Sequence, residues 1–189
     1  NRLLDVTPDS IDREIEAVLA VIGTAAAFDR TFVFRYDDET GYSNSHEWVA
    51  PGVPSLRSGM QDRSADLLPD WHRTLRTGQT VAVLDRAHLP ARSSEYRFMV
   101  EFGIHSSLKV PLCDGDRLFG VIGFDCSRPD RNWAQDEVFL LTSIGRAVSS
   151  VLLRIKAEEA EAASRNHLAA TLSALPDLVI ELEASGRII

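Results

Sequence analysis

The stretch that decides the fold is Ser106-Ser-Leu-Lys-Val-Pro-Leu-Cys113, then Asp114-Gly115, then Asp116-Arg-Leu-Phe-Gly-Val-Ile-Gly-Phe-Asp-Cys126. Two β-rich runs flank Asp-Gly, a dipeptide that accepts the positive φ angles of a two-residue hairpin turn. With Asp114-Gly115 at the tip, Cys113 faces Asp116 and the pairs run back through Leu112/Arg117, Val110/Phe119 and Leu108/Val121. One face then carries Leu108, Val110, Leu112, Phe119 and Val121; the other carries Ser107, Lys109, Leu118, Gly120, Ile122 and Phe124. The second run is apolar on both faces, as in a strand covered on both sides. The hairpin therefore reads as a wall between two layers.

Working outward, 189 residues suffice for one well-buried domain with an appendage. A net charge of −8, with 28 acids against 20 bases, excludes a nucleic-acid surface, which needs clustered Lys and Arg. The apolar run Ala17 to Phe28 is too short to span a bilayer and reads as a core helix, so no membrane contact is expected. Cys113 and Cys126 fall at opposite ends of the hairpin, about 30 Å apart, too far for a disulfide. A reduced, cytoplasmic setting fits them. The chain opens on Asn1 without Met and reads as a segment of a longer protein.

The first helix starts at Thr7-Pro8-Asp9-Ser10, with Thr7 as N-cap, and Ile11, Ile15, Val18, Leu19 and Ile22 form its apolar face. Thr31 to Tyr36 and Tyr42 to Val49 read as strands joined by a turn over Asp37 to Gly41. A short helix is expected over Asp70 to Arg76 with Gly78 as its stop, a strand over Thr80 to Leu84, and a loop and helix over Pro90 to Gly103 with Tyr96, Val100 and Phe102 inward.

After the hairpin, Asn132 and Gln135 make a capping box for a helix of about 40 residues that ends before Pro176. Leu141, Ile144, Val148, Val151 and Ile155 alternate spacings of three and four, a coiled-coil seam. So long a helix exceeds what one small domain buries, and a homodimer through this seam is the expected resolution. The stripe weakens through Glu158 and Arg165.

The order of elements, with Ala27-Phe-Asp-Arg30, Ser107-Leu-Lys-Val-Pro-Leu112, Leu118-Phe-Gly-Val-Ile-Gly-Phe-Asp125 and Trp133-Ala-Gln-Asp-Glu-Val-Phe-Leu-Leu141, resembles the GAF domain of bacterial signalling proteins. The resemblance implies an α+β fold: an antiparallel sheet of about six strands between two helical layers, with a long C-terminal signalling helix. The segments Ser43 to Gly52, Pro69-Asp-Trp71 and Leu89-Pro90 look like GAF domains found beside PAS, GGDEF or histidine-kinase domains. Leu172 to Ile189 is similar to the opening of a PAS domain. The implied division is a GAF domain over 1–155, a helical linker over 156–175 and a truncated PAS start over 176–189.

The resemblance implies a sensory domain without catalysis of its own, relaying a small-molecule or other signal along a dimeric helix to a PAS and an output domain, in a histidine kinase or a diguanylate cyclase. The alternative is a ligand-free dimerisation module that pairs kinase or cyclase subunits. No cofactor is required by the sequence. An Asn-Lys pair is lacking, and Asp136-Glu137 follows Trp133 after two residues, which departs from the cyclic-nucleotide-binding branch. The two cysteines match neither the bilin-attaching branch nor the sulfoxide-reducing one.

Candidate ligand contacts come from the residues themselves. Strand alternation places Asn44, His46 and Trp48 on one face and Glu47 on the other; that cluster either contacts ligand or pins the following Pro-Gly loop. His46-Glu47 is not a zinc-protease motif, because Ala50 stands where the second His is needed, and His72, His88 and His105 have no ligand spacing. Ser107, Lys109 and Gly120 can floor a small-molecule pocket walled by Trp71 and Tyr96, Lys109 otherwise pointing to solvent or pairing with an acid. Trp133 reads as an anchor at the helix start. No nucleophile sits beside a base, so no enzyme is expected in this segment.

Overall fold

A computed structural model describes residues 8–36, 41–129, 131 and 133–174. Thr7, the Asp37–Gly41 turn, Asn132 and the PAS-like segment 176–189 lie wholly or largely outside them. The helices are α1 (Pro8–Ala25), α2 (Pro69–Arg76), α3 (Ser94–Glu101) and α4 (Gln135–Ala174). The strands are β1 (Arg30–Tyr36), β2 (Gly41–Val49), β3 (Arg63–Ser64), β4 (Val81–Val83), β5 (Ser106–Asp114) and β6 (Arg117–Cys126). They form one six-stranded sheet in the order β3-β2-β1-β6-β5-β4, every neighbouring pair antiparallel.

The hairpin exists, but its register differs from the sequence-based expectation. Asp114 pairs with Arg117, so the two loop residues are Gly115 and Asp116, with Gly115 at a φ of +57°. A bulge follows between Leu112 and Cys113, and beyond it Val110 pairs with Ile122, Lys109 with Gly123 and Leu108 with Phe124. The total offset of three residues is odd, and an odd slip exchanges the faces of a strand. Leu108, Val110 and Leu112 therefore share their face with Gly120, Ile122 and Phe124, while Lys109 shares the other with Val121 and Gly123.

The first face receives α1 and the opening turns of α4. Leu19 of α1 is buried, Thr31 Oγ1 donates to the Leu19 carbonyl at 2.9 Å, and Gly23 lies flat under the Trp48 ring. A Cβ on Gly145 would come within 2.6 Å of Val110 Cγ1 and 3.0 Å of Ile122, so the missing side chain sets how closely α4 approaches the sheet. Trp133 packs at the head of α4 against Phe28, ring centroids 5.5 Å apart, with the Arg131 guanidinium over both rings.

The second face is covered by the irregular stretch 56–68, α2 and α3, whose Leu68, Trp71, Leu75, Phe98 and Met99 close a core with Val121. Two inward residues expected on α3 are placed otherwise. Val100 is exposed and Tyr96 half-buried, while Glu95, Phe98 and Met99 turn in.

The chain divides into two units, Asn1–Ser149 and Ser150–Ile189. In the first, the inward line of α4 is Leu141, Gly145 and Ser149, so Leu141 belongs to the domain core and not to a free seam. Ile144 and Val148 are half-buried, and Phe139 and Leu140 are exposed. In the second unit Val151 is 57% exposed, and Arg154–Glu158 and Arg165–Glu161 pair one turn apart. Among the described helices α4 alone is long and apolar enough to cross a membrane by length and composition.

Candidate functional site

Between the second sheet face and its cover lies a cavity of about 30 Å³, room for one or two waters. Its floor is built by alternation along three strands: Phe32 and Phe34 of β1, Val121 and Asp125 of β6, and Lys109 of β5. Gly123 belongs to this floor by necessity. A Cβ there would sit 2.2 Å from the Phe32 ring, which lies across the strand at that point.

The β2 wall depends on a bulge. Val33 pairs with His46 and Phe34 with Asn44, leaving Ser45 unpaired between them. An extra residue reverses the alternation. Tyr42 and Asn44 therefore line the cavity with Glu47, while His46 and Trp48 face α1, where His46 Nε2 lies 3.0 Å from Asp12 Oδ1. The expected grouping of Asn44, His46 and Trp48 on one face is thus corrected, and the Ser45 Oγ bond to the Val33 carbonyl at 3.0 Å marks the site of the reversal.

The roof is fastened from a distance. The Glu47 carboxylate accepts the Leu56 and Arg57 backbone N–H groups at 3.1 and 3.2 Å, and buried Glu95 accepts the Asp70 N–H at 2.9 Å, satisfying a free donor in the first turn of α2. His72 Nδ1 lies 3.3 Å from the Tyr36 hydroxyl, and the two rings stack.

Two polar features stand in this aromatic interior. In the first, Lys109 is 4% exposed, with its ammonium donating to Ser107 Oγ and lying 3.6 Å from Asp125 Oδ1; Ser107 in turn donates to Asp125 at 2.6 Å. The ammonium also sits 4.2 Å from the centre of the Trp71 ring. Burial pushes the Lys109 pKa below its ordinary value, and Asp125 offsets only part of that. In the second, Asn44 is 2% exposed, and neither its amide nitrogen nor its oxygen finds a partner among the described residues; the Tyr42 hydroxyl is equally unpaired. The Asn44 backbone, by contrast, is paired with Met60 and Gln61. Burial pushes the Tyr42 phenol up to about 12, so it remains protonated.

Of the residues singled out in the sequence, Asn44, Glu47, Trp71 and Lys109 line this cavity and Ser107 bonds both members of the ion pair. His46 and Trp48 face α1, Gly120 faces the helix side beside Leu112, and Tyr96 is not on the cavity wall. Tyr42 and Asp125 were not singled out; the period-two pattern around Tyr42 carries no trace of the bulge that turns it inward. Among the described residues no three His, Cys, Asp or Glu come together, and neither cysteine lines the cavity.

The chain is 29% identical over 150 residues to the methanogenesis regulatory histidine kinase FilI of Methanothrix harundinacea (strain 6Ac), a match covering 76% of this chain and 17% of that protein. It thus spans less than a fifth of this relative. The fold is similar to the blue-light absorbing form of the PixJ GAF domain of Thermosynechococcus elongatus, with a TM-score of 0.68 and 23% identity over 86% of this chain and 98% of that one. It is also similar to the phycocyanobilin-bound GAF domain of a cyanobacterial phytochrome, with a TM-score of 0.65 and 18% identity over 78% and 87% of the two chains. The family model described as GAF domain matches residues 10–152, which is most of the chain, and the protein belongs to the GAF domain family.

Proposed function

We propose that this chain is the sensory input domain of a bacterial-type signal-transduction protein, that a small molecule enters the cavity beneath α2, and that the response leaves through α4. The observation that carries this reading is the pairing of an aromatic cavity with buried polar groups, Asn44 and Tyr42, that have no partner among the described residues. Leaving such groups unpaired is costly, so a guest that pairs Asn44 and Tyr42 there is stabilised by doing so.

The output we propose is a histidine kinase, on the likeness to FilI, with a PAS domain starting near residue 176; a diguanylate cyclase is the other class of output. The domain itself has a regulatory and no catalytic role. It works in the cytoplasm as a homodimer, with Ile144, Val148, Val151 and Ile155 on the seam, and exposed Phe139 and Leu140 favour such pairing. That patch also supports a second reading, a ligand-free module that only pairs subunits.

A bilin such as the one named for the phytochrome neighbour is not the ligand proposed. Neither Cys113 nor Cys126 lines the cavity for covalent attachment. Thermal denaturation against a panel of metabolites separates the two readings, because a ligand that binds only the folded state raises its melting temperature by mass action. The sensory reading expects at least one stabilising compound; the pairing module expects none.

A further inference from the structure

We propose that the cavity recognises a neutral, planar heterocycle through an adjacent N–H and C=O, the lactam or imide edge of a pyrimidine, purine or pteridine base without its phosphate. This rests on the cavity being the sensory site and names what enters it.

Three properties of the walls lead there. The first is hydrogen bonding. A side-chain amide offers one donor and one acceptor side by side, and Asn44, which lines the cavity, has both without a partner among the described residues. Its complement is a group with acceptor and donor at the same spacing, which a lactam edge supplies. The unpaired Tyr42 hydroxyl adds a third position, able to donate to a second carbonyl.

The second is charge. The titratable groups on the walls are Glu47, His72, Lys109, Asp125 and the phenols of Tyr36 and Tyr42. Lys109 is already matched by Asp125, and Glu47 by the backbone donors of the roof. An anionic ligand would have to displace Asp125 from Lys109 or bring an unbalanced negative charge into an apolar interior. A cation would lie near the Lys109 ammonium. Asn44 and Tyr42, both uncharged, favour a neutral guest.

The third is shape. Rings from β1, α2 and α3 supply Phe32, Phe34, Trp71 and Phe98, surfaces that stack on a flat π system and gain less from a branched aliphatic chain. A base is larger than the 30 Å³ available, so its entry lifts the roof carrying Leu56, Leu68 and Trp71. The recognition step is then also the conformational step.

The test uses the 189-residue chain, observed by thermal shift and by the NMR signal of the Asn44 side-chain amide. Uracil and hypoxanthine carry the edge, 1,3-dimethyluracil lacks its N–H, and orotate adds a carboxylate to uracil. Uracil or hypoxanthine is expected to bind and move the Asn44 signal, with dimethyluracil weaker by about ten-fold or more, the reading of a lost buried hydrogen bond, and orotate weaker by at least as much, the reading of an unbalanced buried charge. Asn44→Leu is expected to fold, because it replaces an unpaired polar group, and to lose that preference. Tyr42→Phe keeps the test intact should the first variant fail to fold. Tighter binding of orotate than of uracil would overturn the neutral-base proposal and leave the sensory reading standing. Equal binding to wild type and both variants would also overturn it, as contact elsewhere. No binding by any probe or by a wider metabolite panel, with both variants simply more stable, would overturn the proposal and the sensory reading together.

Discussion

The Lys109 ammonium lies 3.6 Å from the Asp125 carboxylate inside the sheet, on neighbouring strands and almost wholly out of water. A buried pair of this kind costs desolvation for both ions, and its integrity matters more than its net contribution. Lys109→Met leaves Asp125 buried without its countercharge, with only the Ser107 hydroxyl donating to it among the described residues, and the expected loss is about 3–5 kcal/mol in urea unfolding. The double variant Lys109→Met with Asp125→Asn is expected to recover at least half of that loss. Additive losses would show the two groups to be uncoupled.

The hairpin was legible because Asp-Gly between apolar runs has one good local solution. Which residues of β6 face the cavity was not, since hairpin faces depend on counting residues across a turn and a bulge between Leu112 and Cys113 changes the count. The same cause hid the polar wall. One unpaired residue, Ser45, turns Asn44 away from His46, and period-two patterning has no signal for it. Within the roof only the helix expected over Asp70 to Arg76 was legible, because the stretch before it is held by side chains distant in sequence, Glu47 above all. The long helix and its extent were legible from spacing and from Pro176, but whether Leu141 faces the sheet or a partner was not, because either face would be apolar.

Leu141 and Val151 separate core from seam. Leu141 is 3% exposed, so Leu141→Ala is expected to cost about 2–5 kcal/mol in chemical denaturation. Val151→Asp, at a position 57% exposed, is expected to leave the melting temperature of the domain near wild type and to convert a dimer to a monomer by light scattering. A dimer that survives Val151→Asp together with Ile155→Asp would place the interface elsewhere.

Gly120 and Gly123 lie on opposite faces of β6. Gly120→Ala brings a Cβ to 2.7 Å from the Phe34 carbonyl oxygen and is expected to destabilise the sheet by about 1–3 kcal/mol, an overpacking cost. Gly123→Ala collides instead with the Phe32 ring and drives it into the cavity, so it is expected to abolish ligand-induced stabilisation as well. Thermal denaturation with and without ligand distinguishes the two.

Acid and alkaline unfolding have separate origins. For Asp29, burial alone would raise the carboxyl, but hydrogen bonds from Ser127 and Cys126 and the charge of Arg128 outweigh it and hold the pKa below 3.8. A lowered carboxyl stabilises above its unfolded value and loses that contribution as pH falls through the folded one, so Asp29→Asn is expected to flatten the decline below about pH 4. For Tyr42 the pKa is raised, mainly by burial, to about 12 from 10.0. Its contribution is complete below pH 10 and disappears as pH rises toward 12, and Tyr42→Phe is expected to shallow that alkaline loss. Circular dichroism across the pH range reads both limbs.

Whether the signal enters beneath α2 is tested most directly by one thermal-shift screen of neutral, anionic and cationic metabolites, run in parallel on the wild-type chain and on Asn44→Leu. The account predicts a class of compound that raises the melting temperature of the wild type by several degrees and that of Asn44→Leu little or not at all. Equal stabilisation of both proteins, or of neither by any compound, would contradict it.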